Sequence, residues 1–304
     1  MKKAMLTVVL AVIMTVSLCV PALAGYEDEL SGECGEGVTW TLYHAVLTVS
    51  GSGAIADYQK REDSPFYQNS SDIYTVVIED GVTAIGYQAF ANCYHMQELT
   101  IAGTVTKISD YAFVGCDYIE SIHIPDSVTY VGKYAFSGLR TGDLTIGRNV
   151  ETIGDYAFQN GHGLIEVHLP AALKTLGSGA FRDCRNMTAV YMGRNVSLVD
   201  TGVFEGCDSL TDIYYEGSQA EWNRITFRKS WNAEDEAPLE NATIHFGAGG
   251  TPIAGDANGD GTPNAADASA ILARTASSAD AADLNGDGYV NELDAALALQ
   301  RQVS

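Results

Sequence analysis

The chain has 304 residues and is acidic, with 39 aspartate and glutamate residues against 17 lysine and arginine residues and a formal charge of −22 at pH 7. Nucleic acids and anionic lipid surfaces would repel such a chain, so we expect neither as a partner. After residue 24, no stretch approaches the ~20 consecutive apolar residues that a membrane-spanning helix needs, so we also expect no membrane insertion.

Residues 1–24 predict a secretory signal peptide. Lys2 and Lys3 precede an apolar run over residues 4–20, and an Ala-Leu-Ala sequence ends at Ala24. Cleavage after Ala24 leaves 15 basic and 39 acidic residues, a formal charge of 15 − 39 = −24. We therefore expect a secreted, extracellular chain that reaches a cell surface only through a partner.

Phenylalanine recurs through the middle of the chain at intervals of 22 or 23 residues, which is a solenoid period. The recurring residues are Phe90, Phe113, Phe136, Phe158, Phe181 and Phe204. A unit of this length cannot bury its own apolar face and must stack on its neighbours. The period predicts an interior column of phenylalanine rings.

Each repeat also contains a three-residue strand pattern in which the outer two residues point inward and the middle one outward. The patterns are Leu99–Ile101, Ile122–Ile124, Leu144–Ile146, Val167–Leu169, Val190–Met192 and Ile213–Tyr215. Their middle residues form an outward column of Thr100, His123, Thr145, His168, Tyr191 and Tyr214.

The outward column has two interpretations. His123, Thr145, His168, Tyr191 and Tyr214 are candidate ligand-binding residues, because tyrosine is enriched at interface hot spots. Cross-strand stacking that stabilises the sheet explains the same residues equally well. His123 and His168 would lie ~10 Å apart, two rungs of the sheet, which is too far for a shared metal ion.

Five cysteines follow residue 24, an odd number that argues against a fully paired disulfide framework. Four of them, Cys93, Cys116, Cys184 and Cys207, lie three residues after a repeating phenylalanine, where other repeats carry Leu139 and Gly161. This predicts buried free thiols. A bridge between Cys93 and Cys116 or between Cys184 and Cys207, or a metal site, stays open, since neighbouring rungs bring Cα atoms to ~5 Å. The role of Cys34 is also open.

The repeats resemble the BspA-like class of leucine-rich repeat. The segment from Ile122 to Gly132 with Ala135-Phe136, and Ala112–Cys116 before it, carry the resemblance. It spans residues 74–246, including a closing cap at 214–222 and a last strand near 242–246. It implies a mainly β solenoid.

Two parts of the chain depart from this pattern. Residues 25–73 are out of phase, and the alternation in Val38–Tyr43 and Ala45–Val49 predicts a hairpin-like N-terminal β cap. The unit at Ser137–Asp143 has lost one residue and its Gly-Cys pair, so we expect a local distortion there.

Two twelve-residue segments, starting at Asp256 and Asp283, predict a tandem pair of calcium loops. Each has side-chain oxygens at positions 1, 3, 5, 9 and 12, a glycine at position 6 and a backbone carbonyl at position 7. The candidate ligands are Asp256, Asn258, Asp260, Thr262, Asn264, Asp267, Asp283, Asn285, Asp287, Tyr289, Asn291 and Asp294. A pair of Asx-rich turns is the alternative.

Each loop is followed by a helical segment, at residues 265–276 and 292–303, and a Gly- and Pro-containing linker at 247–254 precedes the first loop. Residues 255–304 thereby resemble a type I dockerin. The resemblance implies a small all-α module of two loop–helix F-hand motifs, two structural Ca²⁺ ions and binding to a cohesin domain of a scaffoldin.

Cohesin-binding positions follow from the dockerin resemblance alone. They are Ala265, Ala266, Leu272, Arg274, Glu292, Leu293, Leu299 and Arg301. Packing between the two helices is an equal explanation for Leu272 and Leu299.

No catalytic motif stands out in residues 25–246, so we expect no enzyme and no catalytic residues. The sequence favours a non-catalytic cellulosome-type protein that displays its repeats for protein or polysaccharide recognition. An adhesin for host or bacterial proteins and a cryptic carbohydrate-active enzyme are the alternatives.

Overall fold

The computed structural model describes residues 29–230 and 237–247. The predicted signal peptide, both calcium loops, their helices and the proposed cohesin-binding positions lie outside the described residues.

An antiparallel meander opens the fold. Strands β1 (Leu30–Gly35), β2 (Val38–Tyr43) and β3 (Val46–Gly51) pair in order. His44 and Ala45, which join β2 to β3, both have left-handed φ values, 48° and 64°, as a two-residue hairpin turn requires. The predicted hairpin is confirmed, and β1 adds a third strand.

The remaining described residues coil into rungs that contribute two sets of strands, one on each of two faces. The first set is β5 (Thr75–Ile78), β7 (Glu98–Ile101), β9 (Ile122–His123), β11 (Leu144–Thr145), β13 (Glu166–His168), β15 (Ala189–Met192), β17 (Asp212–Tyr215) and β19 (Thr243–Phe246). The second set is β4 (Gly53–Ala54), β6 (Val82–Ile85), β8 (Lys107–Ile108), β10 (Tyr130–Val131), β12 (Thr152–Ile153), β14 (Thr175–Leu176), β16 (Leu198–Val199) and β18 (Thr226–Phe227).

The second set forms one parallel eight-stranded sheet, whereas the first set is divided into three segments: β1-β2-β3-β5-β7, β9-β11 and β13-β15-β17-β19. The break between β11 and β13 falls just after the repeat that has lost a residue. There the backbones meet closely, because a Cβ on Gly163 would collide with the carbonyl of Arg140. The first set also breaks between β7 and β9, where no residue is lost, so the distortion of the turn stays a prediction.

The phenylalanine rings form the predicted interior column. Neighbouring rings are parallel, with centroids 4.8 to 6.1 Å apart, and all are buried. Phe66 joins the column although it lies in the segment that appeared out of phase, and Trp40 packs edge-on against it at 5.8 Å. Backbone bonds join the turns as well, since the N–H of Phe90 donates to the carbonyl of Ala112 at 2.9 Å.

A short cap closes the other end. Helix α1 (Gln219–Trp222) starts with a capping box in which Ser218 and Glu221 each bond the other's backbone N–H. Trp222 packs against Tyr215 and Phe227, with ring centroids 5.2 and 5.1 Å away. Helix α2 (Ala237–Asn241) precedes β19. Two 3₁₀ turns, Arg61–Asp63 and Tyr67–Asn69, lie near the first rung.

All five described cysteines are free and buried, which confirms the free-thiol interpretation. The thiols of Cys116, Cys184 and Cys207 each donate to the carbonyl of the phenylalanine one rung earlier, at 3.1 to 3.3 Å. Each of these three buried carbonyl groups thereby gains a hydrogen-bond donor. Burial raises the pKa of Cys93 to about 12.

Among the residues that the structure describes, no helix combines the length and apolar character needed to cross a membrane.

Candidate functional site

Four aromatic side chains on the outer face of β13, β15, β17 and β19 stack into a continuous row, which we call the aromatic ladder. Its members are His168, Tyr191, Tyr214 and His245, which occupy equivalent positions in the strand register. Successive ring centroids lie 4.1, 4.8 and 4.5 Å apart, with interplanar angles of 6°, 10° and 13°. The ladder is therefore an ordered surface feature.

Stacking of the ladder rings on one another limits the ring surfaces that a ligand can contact. Tyr191 and Tyr214 are half-buried, and each has a neighbouring ring against both faces. Only ring edges therefore remain for contact with a ligand at these positions. A ligand that needs an open ring face, such as a sugar lying flat on an aromatic platform, finds none at the two tyrosines.

The last ring is held by a carboxylate. Asp212 Oδ1 lies 2.6 Å from His245 Nε2, and Asp212 Oδ2 accepts a hydrogen bond from Thr211 at 2.7 Å. The bond to His245 is the main reason that the pKa of Asp212 is lowered from its ordinary value. Desolvation, and after it the carboxylate of Glu166, raise the pKa of Tyr191.

The structure brings together only part of the predicted outward column. His168, Tyr191 and Tyr214 are contiguous, whereas Thr145 pairs with His123 in the separate β9–β11 segment. His245 was missed as a ladder member. It is the third residue of β19, just as Tyr214 is of β17, so the alternation of the last strand could have revealed it.

A second missed feature is an acidic residue two positions before the outward residue in four of the rungs. This acidic column comprises Glu98, Asp143, Glu166 and Asp212, of which Glu166 and Asp212 lie beside ladder residues, in β13 and β17. Within the described residues, Glu98, Asp143 and Glu166 are exposed and form no ion pair.

Some acidic side chains elsewhere on the solenoid are paired with bases. Asp126 lies 3.0 Å from Arg148, and Glu151 lies 2.8 Å from Lys174. Other exposed acidic residues, such as Asp80 and Asp208, also form no ion pair among the described residues, so the acidic column carries only part of the unbalanced negative charge.

A third missed feature is a stack of Tyr111, Tyr134 and Tyr156, which we call the tyrosine stack, with ring centroids 5.1 and 4.8 Å apart. Each lies two residues before a column phenylalanine, a recurrence visible in the sequence, and each has a left-handed backbone with φ of 53° to 59°. Such a conformation is unfavourable for a bulky residue. The equivalent position holds glycine at Gly179 and Gly202.

The described residues contain no group of three or more histidine, cysteine, aspartate or glutamate side chains arranged to hold a metal ion. Two shallow recesses of about 310 and 300 Å³ lie near Asp57 and near Trp222, and neither lining includes histidine or cysteine.

Two family models match this sequence. The model described as BspA type leucine-rich repeat region matches in six copies, over residues 59–160 and 106–234, and the model of the dockerin type I domain matches residues 254–303. Both predicted resemblances are thereby confirmed. A comparison with curated proteins found no match.

Solved structures of bacterial leucine-rich repeat proteins are similar to this chain. One from Bacteroides ovatus is 18% identical, with 73% of this chain and 70% of that chain covered and a TM-score of 0.47. One from Eubacterium ventriosum is 19% identical, with 63% and 73% covered and a TM-score of 0.32. One from T. pallidum is 21% identical, with 60% and 81% covered and a TM-score of 0.36.

The two family models indicate different functions. A type I dockerin domain implies a cohesin as partner, and leucine-rich repeats indicate protein recognition. The β-rich repeat part of the predicted fold class is confirmed, whereas the predicted all-α structure of the dockerin lies outside the described residues.

Proposed function

This chain belongs to the BspA-type leucine-rich repeat family and carries a type I dockerin domain, and from that premise we propose that it is a secreted, non-catalytic display protein. Its dockerin binds a cohesin domain of a scaffoldin in a calcium-dependent manner. Its repeats then present the aromatic ladder to a ligand, at a cell surface that bears the scaffoldin.

The observation that carries this proposal is the order of the two modules in one chain. A repeat region matched over residues 59–234 precedes a dockerin matched over residues 254–303. A dockerin attaches whatever precedes it to a cohesin. The function that is specific to this chain therefore resides in its repeats.

Calcium dependence is supported by the donor set of the two loops. Asp256, Asp260, Asp283 and Asp287 provide carboxylates, and glycine occupies the sixth position of each loop, Gly261 and Gly288. Carboxylate and carbonyl oxygens are the ligands that Ca²⁺ prefers. The two ions would hold the loops in the conformation that docks.

A pull-down with the mature chain, residues 25–304, tests the proposal. We expect capture by some member of a panel of immobilised cohesin domains in calcium, and release in EDTA. A variant with Asp260→Ala and Asp287→Ala should lose capture, because each loop loses a ligand. The matched control, Asp126→Ala, changes a carboxylate on the repeats and should bind as the parent does. Capture that EDTA leaves unchanged, or that no cohesin supports, would contradict the proposal.

A further inference from the structure

We propose that the ladder face, meaning the aromatic ladder together with the acidic column, binds a cationic segment of a partner protein. Lysine or arginine side chains of that segment would lie between the acidic column and the ladder. The inference rests on the proposed function, because it names the class of ligand that the displayed repeats recognise.

The first support is the placement of the two columns. Alternate residues of a strand point to the same face, so Glu166 lies beside His168 and Asp212 beside Tyr214. A negative charge and an aromatic edge are thus adjacent on two of the four ladder strands, β13 and β17. A long cationic side chain can lay its apolar stem along ring edges and its charged head against carboxylates.

The second support is a gap in the acidic column. Ala189 stands in register between Glu166 and Asp212 and is buried. The Cα atoms of the two acidic residues are two rungs apart, ~10 Å, with a small side chain between them and Tyr191 alongside. A guanidinium or ammonium group over Ala189 would face the exposed Glu166 on one side and, on the other, Asp212, whose oxygens also bond His245 and Thr211.

The third support is charge complementarity. Glu98, Asp143 and Glu166 form no ion pair among the described residues, and β13, β15, β17 and β19 contain no lysine or arginine. The whole chain carries a formal charge of −22. A field of one sign attracts partners of the opposite sign and repels acidic ones. Acidic polysaccharides are thereby disfavoured.

The fourth support concerns neutral polysaccharides. The faces of Tyr191 and Tyr214 are covered by neighbouring rings, so these residues offer no platform on which a sugar ring can stack. A peptide needs no such platform. The exposed carboxylates suit N–H donors of lysine and arginine.

The size of the face limits the strength of the contact. From His168 to His245 the ladder spans three rung steps, ~14 Å, which an extended peptide covers with about four residues. Interfaces of this size fall below the range of stable complexes. We therefore expect weak, salt-sensitive binding that many repeats of a partner, or many displayed copies, would strengthen.

The test measures binding of short labelled peptides to the calcium-loaded mature chain by fluorescence anisotropy. The probes are a peptide in which lysine alternates with serine, the same peptide with glutamate in place of lysine, and a labelled neutral β-glucan oligosaccharide. We expect only the lysine peptide to bind, and its affinity to fall as salt rises to about 0.5 M, where screening is strong.

Matched variants locate the contact. Glu166→Gln should weaken binding of the lysine peptide several-fold, and Glu166→Gln with Asp143→Asn should weaken it further. Glu151→Gln, which removes an exposed carboxylate from another face, should leave it unchanged. Equal effects of Glu151→Gln and Glu166→Gln would overturn the proposal, as would binding of the glucan but not of the lysine peptide.

The cohesin pull-down, run on the same samples, separates the two proposals. Peptide binding that depends on Glu166, together with no cohesin capture, would remove the display role and leave the ladder face as a cation-binding surface. Cohesin capture with no peptide binding would retain the display role and overturn the inference about the ligand.

Discussion

His245 Nε2 lies 2.6 Å from Asp212 Oδ1, so a side-chain bond as well as the backbone joins β19 to β17. The same imidazole stacks on Tyr214 with ring centroids 4.5 Å apart. The last ring of the aromatic ladder is thus held by a carboxylate from the acidic column. The two columns form one connected surface at this end.

Replacing Asp212 with asparagine should make this contact less stabilising at neutral pH. The pKa of Asp212 is lowered in the folded chain, mainly by His245, so its contribution to stability is present above the ordinary carboxylate pKa and lost as pH falls through the lowered value. The side chain is about one-third exposed, so we expect no more than ~1 kcal/mol at pH 7. Urea unfolding of Asp212→Asn and the parent should differ at pH 7 and converge near pH 2.

Asp143→Asn is the control for this comparison, because Asp143 is exposed and has no ion pair among the described residues. Its unfolding should match the parent at pH 7. A difference between Asp212→Asn and the parent that persisted undiminished in acid would contradict the role assigned to the carboxylate.

Removing one ring from the interior column should be severely destabilising. Phe136 is fully buried between Phe113 and Phe158, with centroids 5.1 and 5.7 Å away. We expect Phe136→Ala to lower the free energy of unfolding by about 3–5 kcal/mol, since it removes buried surface and leaves a cavity. Thr100→Ala, on the exposed face, should change it little. Chemical denaturation followed by circular dichroism gives both values, and similar midpoints would be evidence against the stack as the core.

Gly179 and Tyr156 should be energetically coupled. Gly179 has φ of +59°, and a Cβ there would collide with Cε1 of the Tyr156 ring. Gly202 has φ of +60°, but the nearest atom to its Cβ would be Glu205 Oε2, at 3.0 Å. We expect Gly202→Ala to cost about 1 kcal/mol from backbone conformation. Gly179→Ala should cost more, because it adds the collision.

A double-mutant cycle separates the two costs. In a Tyr156→Ala background, the cost of Gly179→Ala should fall to that of Gly202→Ala, whereas the cost of Gly202→Ala should not change. Thermal or urea unfolding of the four Gly179 and Tyr156 combinations provides the cycle. Additive effects at Gly179 and Tyr156 would show that the ring moves aside freely.

The five cysteines of the repeats and the N-terminal cap should be unreactive in the folded chain. Burial raises the pKa of Cys34 and Cys93 to about 12, so the thiolate is scarce at pH 8 and the sulfur is shielded from reagent. An aromatic disulfide reagent should release no colour from native protein and five equivalents after denaturation, one for each free cysteine. A Ser121→Cys variant, exposed on the ladder face, should react at once. Five unreactive sulfurs after denaturation without reductant would instead indicate oxidation.

Much of the solenoid could be predicted because each unit contacts only its neighbours. The six phenylalanines from Phe90 to Phe204 recur with the period of the rungs, so a repeated spacing translates directly into a stacked column. The inward and outward alternation of the strands followed from the same logic. Phe66 was not predicted to join the column, because the loop that leads to it does not match the residues that surround the other phenylalanines.

Two features of the candidate site could not be predicted from the repeat spacing. Tyr214 and His245 are 31 residues apart, because the closing cap is inserted between β17 and β19, and that interval hides their equivalence. The left-handed backbone of Tyr134 is also invisible in the sequence, since tyrosine does not favour it. The geometry of the turn sets this backbone conformation. Stacking of the Tyr134 ring with Tyr111 and Tyr156 accompanies it.

By itself the sequence determined the stacked architecture of this protein, its phenylalanine core and the two family memberships, because these depend on periodicity and on motifs that lie close together along the chain. Only the tertiary structure decided which side chains share a face: it brought His245 into the aromatic ladder, divided His123 and Thr145 from His168, and left Glu166 without an ion pair among the described residues. Those relationships depend on register across insertions and interruptions, which is set when rungs pack against one another.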